Sequence, residues 1–153
     1  MTPSPQGDII VRPLVEDERA SWEPLWKGYQ AFYQVMLSDE TTAVTWARLQ
    51  DPAEPMFVLG AFVDGNLVGI VHYLFHRSCW TVGDYCYLQD LFVSPEARGH
   101  GAGRALIEAV YAEAQAAGAS RVYWLTQESN SSARALYDTL ADRPGFIQYR
   151  RIF

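Results

Sequence analysis

The stretch Leu91-Phe92-Val93-Ser94-Pro95-Glu96-Ala97-Arg98-Gly99-His100-Gly101-Ala102-Gly103-Arg104-Ala105-Leu106 decides how the rest of the chain is read. A β-forming run, Leu91 to Val93, leads into a turn carrying Gly99, Gly101 and Gly103. A helical pattern follows over Gly101 to Ala117, with apolar Ala105, Leu106, Ala109, Val110 and Ala112, and with Gly118 where a C-terminal cap belongs. Alternating glycines open conformations closed to residues with a Cβ and let backbone N–H groups come close to a ligand. A helix N-terminus adds partial positive charge and unpaired donors aimed the same way. That is chemistry for a phosphate or pyrophosphate. The dinucleotide fingerprint fails in both registers, because Arg104 or Leu106 stands where its third glycine is needed. The P-loop pattern fails too, since the chain has no Gly-Lys pair and its one lysine, Lys27, is far away.

Working outward, residues 1–8 hold two prolines, a glycine and no apolar pattern, and are expected to be a loose tail. Ile9 to Val11 is expected to be a strand ended by Pro13. From Val15 to Gln34 apolar residues recur at helical spacing, with Pro24 expected to break or kink the stretch. Ser38 starts a second helix over Thr42 to Leu49, stopped before Pro52. Met56 to Val63 and Leu67 to Phe75 flank the turn Asp64-Gly65-Asn66 and predict a hairpin. Tyr85 to Val93 is a further strand interrupted by polar Gln89 and Asp90. Beyond the long helix come a strand over Arg121 to Thr126, a helix over Ser132 to Leu140 and a final strand over Phe146 to Ile152. The order β-α-α-β-β-β-α-β-α-β predicts one mixed α/β domain over 9–153 with helices on the sheet faces.

Composition narrows the partners. The 153 residues carry 12 basic and 18 acidic side chains, a formal charge of −6. Nothing invites nucleic acid, whose binders cluster Lys and Arg on phosphates. There is no run near the roughly 20 apolar residues that span a bilayer, and no basic then apolar leader at the start. Cys79 and Cys86 are too few for a disulfide framework and lack metal-ligand spacing. His72 and His76 lack a third ligand, so no metal is expected. The expectation is a reduced, cytoplasmic protein that binds neither membrane nor nucleic acid. Aromatics make up 14% of the chain, and the negative excess falls early, −5 through Met56 against −1 thereafter.

The opening stretch resembles motif A of the GCN5-related N-acetyltransferases, the GNAT superfamily. There (Q/R)-x-x-G-x-(G/A) holds the pyrophosphate of acetyl-CoA, and it falls here on Arg98, Gly101 and Gly103. Asn130-Ser131-Ser132-Ala133-Arg134-Ala135-Leu136-Tyr137, followed by Gly145-Phe146, is similar to a second motif of the family. Trp26 to Tyr33, Thr45 to Leu49, Tyr123 to Thr126 and Gly145 to Arg150 resemble the subgroup of yeast histone/polyamine and D-amino-acid acetyltransferases. The resemblance implies a central, mostly antiparallel, splayed sheet of six to seven strands with helices on both faces. It also implies acetyl-CoA as cosubstrate, a primary amine as acceptor and a homodimer.

Site residues follow from the same resemblance. Leu91, Phe92, Val93, Arg98, Gly99, His100, Gly101, Ala102, Gly103, Arg104, Asn130, Ala133 and Tyr137 are expected to hold the cofactor, with a backbone N–H near Val93 polarising the carbonyl. The Tyr137 phenol suits protonation of the departing thiolate. An alkyl ammonium has a pKa of about 10.4, so the amine must first lose a proton. Related polyamine acetyltransferases often carry a glutamate where Gln89 stands, and Gln89 cannot accept a proton. Asp90 can do so through water, or can equally be a structural acceptor. Trp26, Tyr29, Tyr33 and Gln89 are expected to contact a small cationic substrate, a polyamine or an amino acid, although at least half of the N-terminal aromatics belong in the core. A protein lysine or N-terminal acceptor, and a non-catalytic CoA-binding module, are the alternatives.

Overall fold

Hydrophobic runs alternate between two faces here because the sheet is covered on both. The computed structural model describes residues 7–153; positions 1–6 of the expected tail lie outside them. The elements are β1 (Ile10–Pro13), α1 (Arg19–Phe32), α2 (Asp39–Gln50), β2 (Met56–Val63), β3 (Asn66–His76), β4 (Tyr85–Val93), α3 (Ala102–Ala116), β5 (Arg121–Tyr123) and α4 (Ser131–Leu140). Strands lie in the order β1-β2-β3-β4-β5, antiparallel up to β4 and parallel between β4 and β5. The β2–β3 hairpin turns through Asp64 and Gly65, both at positive φ, as a two-residue turn between right-twisted strands demands.

On one face Leu59, Val71, Tyr73 and Leu88 pack with Leu106, Ile107 and Val110 of α3. On the other, Val58 and Ile70 pack with Trp22 and Trp26 of α1 and Trp46 and Leu49 of α2. Neighbouring residues of one strand thus serve opposite cores, the period of two that a pleat imposes. The second helix begins where the sequence predicted: Ser38 caps α2, its hydroxyl accepting from the Thr41 N–H at 3.1 Å.

Four expectations are corrected. Helix α1 runs unbroken through Pro24. Burying Trp22 and Trp26 one turn apart on its inner face outweighs the roughly 3 kcal/mol that an interior proline costs. Among the described residues the sheet has five strands rather than six or seven, and β5, Arg121–Tyr123, is shorter than Arg121 to Thr126. The final strand over Phe146 to Ile152 does not form: residues 141–153 are all exposed and belong to no helix or strand. Strand-forming composition describes one segment, whereas a strand exists only where a neighbour accepts its hydrogen bonds.

Candidate active site

Backbone geometry around the glycine turn answers to its sequence. From the end of β4 the Ser94 N–H donates to the Val68 carbonyl (2.8 Å), and a short 3-10 turn over Pro95–Ala97 follows. Gly99 and Gly101 then take φ of +83° and +91°, the left-handed region, with Gly101 as N-cap of α3. A Cβ at Gly99 would meet nothing within 4 Å, and one at Gly101 only Ile9 Cδ1 at 3.9 Å. Dihedral angle, not crowding, requires glycine here. No side chain caps α3, so its first-turn N–H groups stay available beyond Ala102, whose burial seats the helix. Arg98 Nε donates to the Val93 carbonyl at 3.0 Å, and its guanidinium stands 5.5 Å from the Phe92 ring centroid. Gly28 of α1 lets this strand end approach, since a Cβ there would lie 2.9 Å from Phe92 Cζ. Together they border a cavity of about 420 Å³ that also reaches Phe32, Ser94 and Arg98. An uncapped helix end, an open left-handed turn and an arginine suit a pyrophosphate, so the residues present fit the polyphosphate of acetyl-CoA. His100 is exposed on the same turn. Arg104 turns toward α4 instead, donating to Thr139 Oγ1 at 2.9 Å and pairing with Glu108 at 3.8 Å.

Next to this turn the sheet opens. β4 and β5 pair only through Tyr85↔Arg121, Cys86↔Val122 and Tyr87↔Tyr123. Past that point Leu88 to Val93 has no strand on its β5 side, which leaves the backbone of Leu91, Phe92 and Val93 facing the opening half-buried. The β3–β4 register skips from His72↔Asp90 to Tyr73↔Leu88, so Gln89 is the extra residue of a β-bulge. That bulge explains the polar pair inside an apolar strand: Gln89 is pushed out to solvent and Asp90 is swung over His72.

Asp90 sits at the end of a chain of buried hydrogen bonds. Trp22, fully buried on α1, donates its indole Nε1–H to His72 Nε2 at 3.0 Å. An indole N–H can only donate, so His72 carries its proton on Nδ1 and donates it to Asp90 Oδ2, also at 3.0 Å. The Asp90 side chain retains 14% exposure. Burial first, and then the Asp90 charge and a hydrogen bond to it, push the Tyr29 phenol far above its ordinary range; burial and Asp90 raise Tyr87 as well. His72, Gln89 and Asp90 line a cavity of about 270 Å³ with Trp26, Leu37, Leu49 and Met56. Trp26 Nε1 is buried within the α1 core without a hydrogen-bond partner.

Tyr137 reaches the opening from α4. Its ring packs edge-on against Trp124 at 5.4 Å, and burial, helped by nearby Tyr33, raises its phenol. α4 is tied to α3 by Tyr111 Oη, which donates to the Leu140 carbonyl at 2.9 Å. Asn130 stands at the N-cap of α4 without capping it, donating instead to Thr126 Oγ1 at 3.3 Å, and Ala133 lies one turn on, half-buried.

The structure thus brings Gln89 and Asp90 to one cavity wall, sets Tyr29 beside Asp90 and sets Tyr33 near Tyr137. It places Trp26, with Trp22 and Trp46, in the core rather than on an open cationic wall. Glu23 is engaged by Arg19 and Lys27. Sequence reasoning rejects His72 as a metal ligand and assigns it no other part. Its signal was a lone polar residue inside the apolar run Gly69-Ile70-Val71-His72-Tyr73-Leu74.

Comparison with known proteins agrees with this geometry. The acetyltransferase (GNAT) family model matches residues 22–141. The D-amino-acid N-acetyltransferase HPA3 of Saccharomyces cerevisiae is 36% identical over 145 residues, 94% of this chain and 90% of that protein. An uncharacterized N-acetyltransferase of Bacillus subtilis, YhfO, is 28% identical over 91% of this chain and 94% of its own. In fold, the chain superposes on AAC(6')-Iy in complex with the bisubstrate analog CoA-S-monomethyl-acetylneamine with a TM-score of 0.81 at 18% identity, covering 96% and 100% of the two chains. The chain belongs to the GNAT acetyltransferase family and is an acetyl-CoA-dependent N-acetyltransferase.

Proposed function

We propose that the acceptor is the primary amine of a small metabolite, an amino acid ahead of a polyamine, attacking directly in a ternary complex. The amine nitrogen forms a bond to the acetyl carbon as the carbon–sulfur bond breaks. Asp90 takes the ammonium proton through a water and passes it to solvent, the Tyr137 phenol gives one to the departing thiolate, and the second proton that leaves the attacking nitrogen as the amide forms restores the phenol through water. His72 does not react: both its ring nitrogens are engaged, and its part is to hold Asp90 in one orientation. Backbone groups of Leu91 to Val93 and the Arg98–Gly103 turn hold the cofactor, with Asn130 and Ala133 at the start of α4.

One observation carries this reading: a hydrogen-bonded carboxylate on the wall of a cavity of about 270 Å³. Leu37, Leu49 and Met56 make much of that wall apolar. An amino acid brings a side chain for such a wall, whereas a polyamine brings more positive charge. The Glu23 carboxylate that would attract it is already paired. HPA3, named as a D-amino-acid N-acetyltransferase, is in keeping with this. We read the working form as a homodimer. Two free cysteines, one of them exposed, suit a reducing compartment such as the cytoplasm, and no helix among the described residues is long and apolar enough to cross a membrane.

The test is an acceptor panel. Acetyl-CoA is mixed with the protein and D- and L-amino acids, polyamines, aminoglycosides and lysine peptides in turn, and free thiol is measured. Release is expected with amino acids above all. Release with peptides alone refutes the small-metabolite reading, and none with any amine despite CoA binding refutes turnover.

A further inference from the structure

The bulge in β4 turns two neighbouring residues onto one wall. Successive side chains of a strand point to opposite faces, so a regular ladder would bring only one of Gln89 and Asp90 to the cavity. The register skip at His72/Tyr73 changes that, and both line the space of about 270 Å³. Asp90 is held there by His72. Gln89 is exposed, and its carboxamide makes no hydrogen bond among the described residues. Of the described residues that line this cavity, Asp90 is the only carboxylate, and none is a lysine or an arginine. His72 has both ring nitrogens engaged, while Tyr73 packs in the α3 core and Trp26 in the α1 core. That leaves Gln89 and Thr45 as the open hydrogen-bonding side chains of the wall.

We propose that Gln89 determines which class of amine is acetylated, its amide N–H donating to the carboxylate of an amino acid whose amine stands at Asp90. This rests on the amino-acid reading above and gives it a residue. In an amino acid only the α-carbon separates amine from carboxylate. A group that reads the carboxylate must therefore stand close to the group that receives the amine. Gln89 is next in the chain to Asp90 and, through the bulge, lines the same cavity. A carboxamide offers two N–H donors and carries no charge. It meets an anion without pairing off Asp90, as a lysine or arginine beside that carboxylate would. Its neutrality has a second effect. The further ammonium of a polyamine finds no second carboxylate on this wall, so the added charge goes unpaired. Gln89 takes no part in proton transfer; it selects the amine that reaches Asp90.

The experiment measures kcat/KM with D- and L-leucine, methionine and phenylalanine, each beside its primary amide, and with spermidine. The amide keeps the side chain and the amine but loses the negative charge. Parent, Gln89→Leu and Gln89→Glu are compared through the ratio of acid to amide, in which any disturbance of Asp90 or of the fold cancels because it moves both substrates alike. For the amino acid that the parent turns over best, the ratio is expected to fall at least about tenfold in Gln89→Glu, which sets a like charge against the carboxylate. A smaller fall is expected in Gln89→Leu, which only loses the donor. The fall should lie in the KM for the acid, with the KM for acetyl-CoA unmoved. A ratio in Gln89→Glu within about twofold of the parent's overturns the proposal, as does a fall in Gln89→Leu that equals it. A parent that acetylates the amides or spermidine but no amino acid overturns it together with the amino-acid reading. Amino-acid turnover with unmoved ratios overturns the part given to Gln89 alone.

Discussion

Replacing Trp22 with Phe tests the buried chain Trp22–His72–Asp90 at its far end, away from any reacting atom. Phe keeps an aromatic ring against Trp26 and Trp46, now 6.2 and 4.8 Å away, but removes the indole N–H bonded to His72 Nε2. His72 is 5% exposed, so no solvent replaces the donor, and an orphaned buried acceptor costs about 1 to 3 kcal/mol. The atoms lost from a fully buried side chain add about 1 to 2 kcal/mol. The expected loss is therefore about 2 to 5 kcal/mol, on the order of 5 to 15 °C in Tm for a domain of this size. His72→Leu strands two partners, the indole donor and the Asp90 carboxylate. Breaking a largely buried pair costs about 3 to 5 kcal/mol before the indole is counted, so this variant should be the less stable of the two. Urea unfolding gives both numbers. Turnover of Trp22→Phe should fall about 10- to 100-fold through a misplaced Asp90, with the KM for acetyl-CoA unchanged. The reasoning is refuted if Trp22→Phe lies within about 0.5 kcal/mol of the parent, or if His72→Leu is the milder change.

Other expectations follow from single features. Tyr137→Phe should lower kcat by roughly 10²-fold with CoA affinity nearly intact; equal turnover removes its role as acid. Gly101→Ala has room for its methyl but not the dihedral, so it should cost about 1 to 2 kcal/mol in stability, and titration calorimetry should show weaker CoA binding; unchanged affinity would reduce the glycines to a simple turn. Glu18 accepts from both terminal nitrogens of Arg12 at 2.8 Å, which holds its carboxyl down to about 2 from an ordinary 4.5. A depressed carboxyl stabilises above its unfolded value, so the urea-midpoint gap between parent and Glu18→Gln should be full at pH 7, shrink below about 4.5 and close near pH 2. A gap indifferent to pH contradicts it. Burial pushes the Cys86 thiol up to about 12 while Cys79 is exposed, so iodoacetamide at pH 8 should label the native chain once, at Cys79; two labels would be the contrary result.

Features governed by neighbours in sequence were legible from it. The Asp64-Gly65 turn, the β4 boundaries, the Ser38 cap and the glycine turn all came out as their local chemistry dictates, because turns and caps are decided within a few residues. Pairing was not legible. Nothing in Gln89-Asp90 itself says that one residue is bulged, since a bulge exists only against β3; nor does the β-forming run Phe146 to Ile152 say whether any neighbour accepts its hydrogen bonds. His72 could be weighed only against His76, as a metal pair that lacks a third ligand, because spacing along a strand is all that the sequence shows. Its true neighbours are 50 residues back at Trp22 and 18 residues on at Asp90, contacts that only the packed α1–β3–β4 layer creates.

The three-rung seam between β4 and β5 has a mechanical consequence. With so short a hinge line, the sheet alone cannot fix the angle at which α4 stands over the opening, and Tyr137 rides on α4 while Asp90 rides on β4. α3 supplies what the seam lacks. It is packed rigidly on β3 and β4 through Leu106 and Ile107, and it reaches across to α4 through Arg104–Thr139 and Tyr111–Leu140. The helix that presents the glycine turn at its head therefore acts along its length as a strut, setting the span between the two groups assigned to move protons.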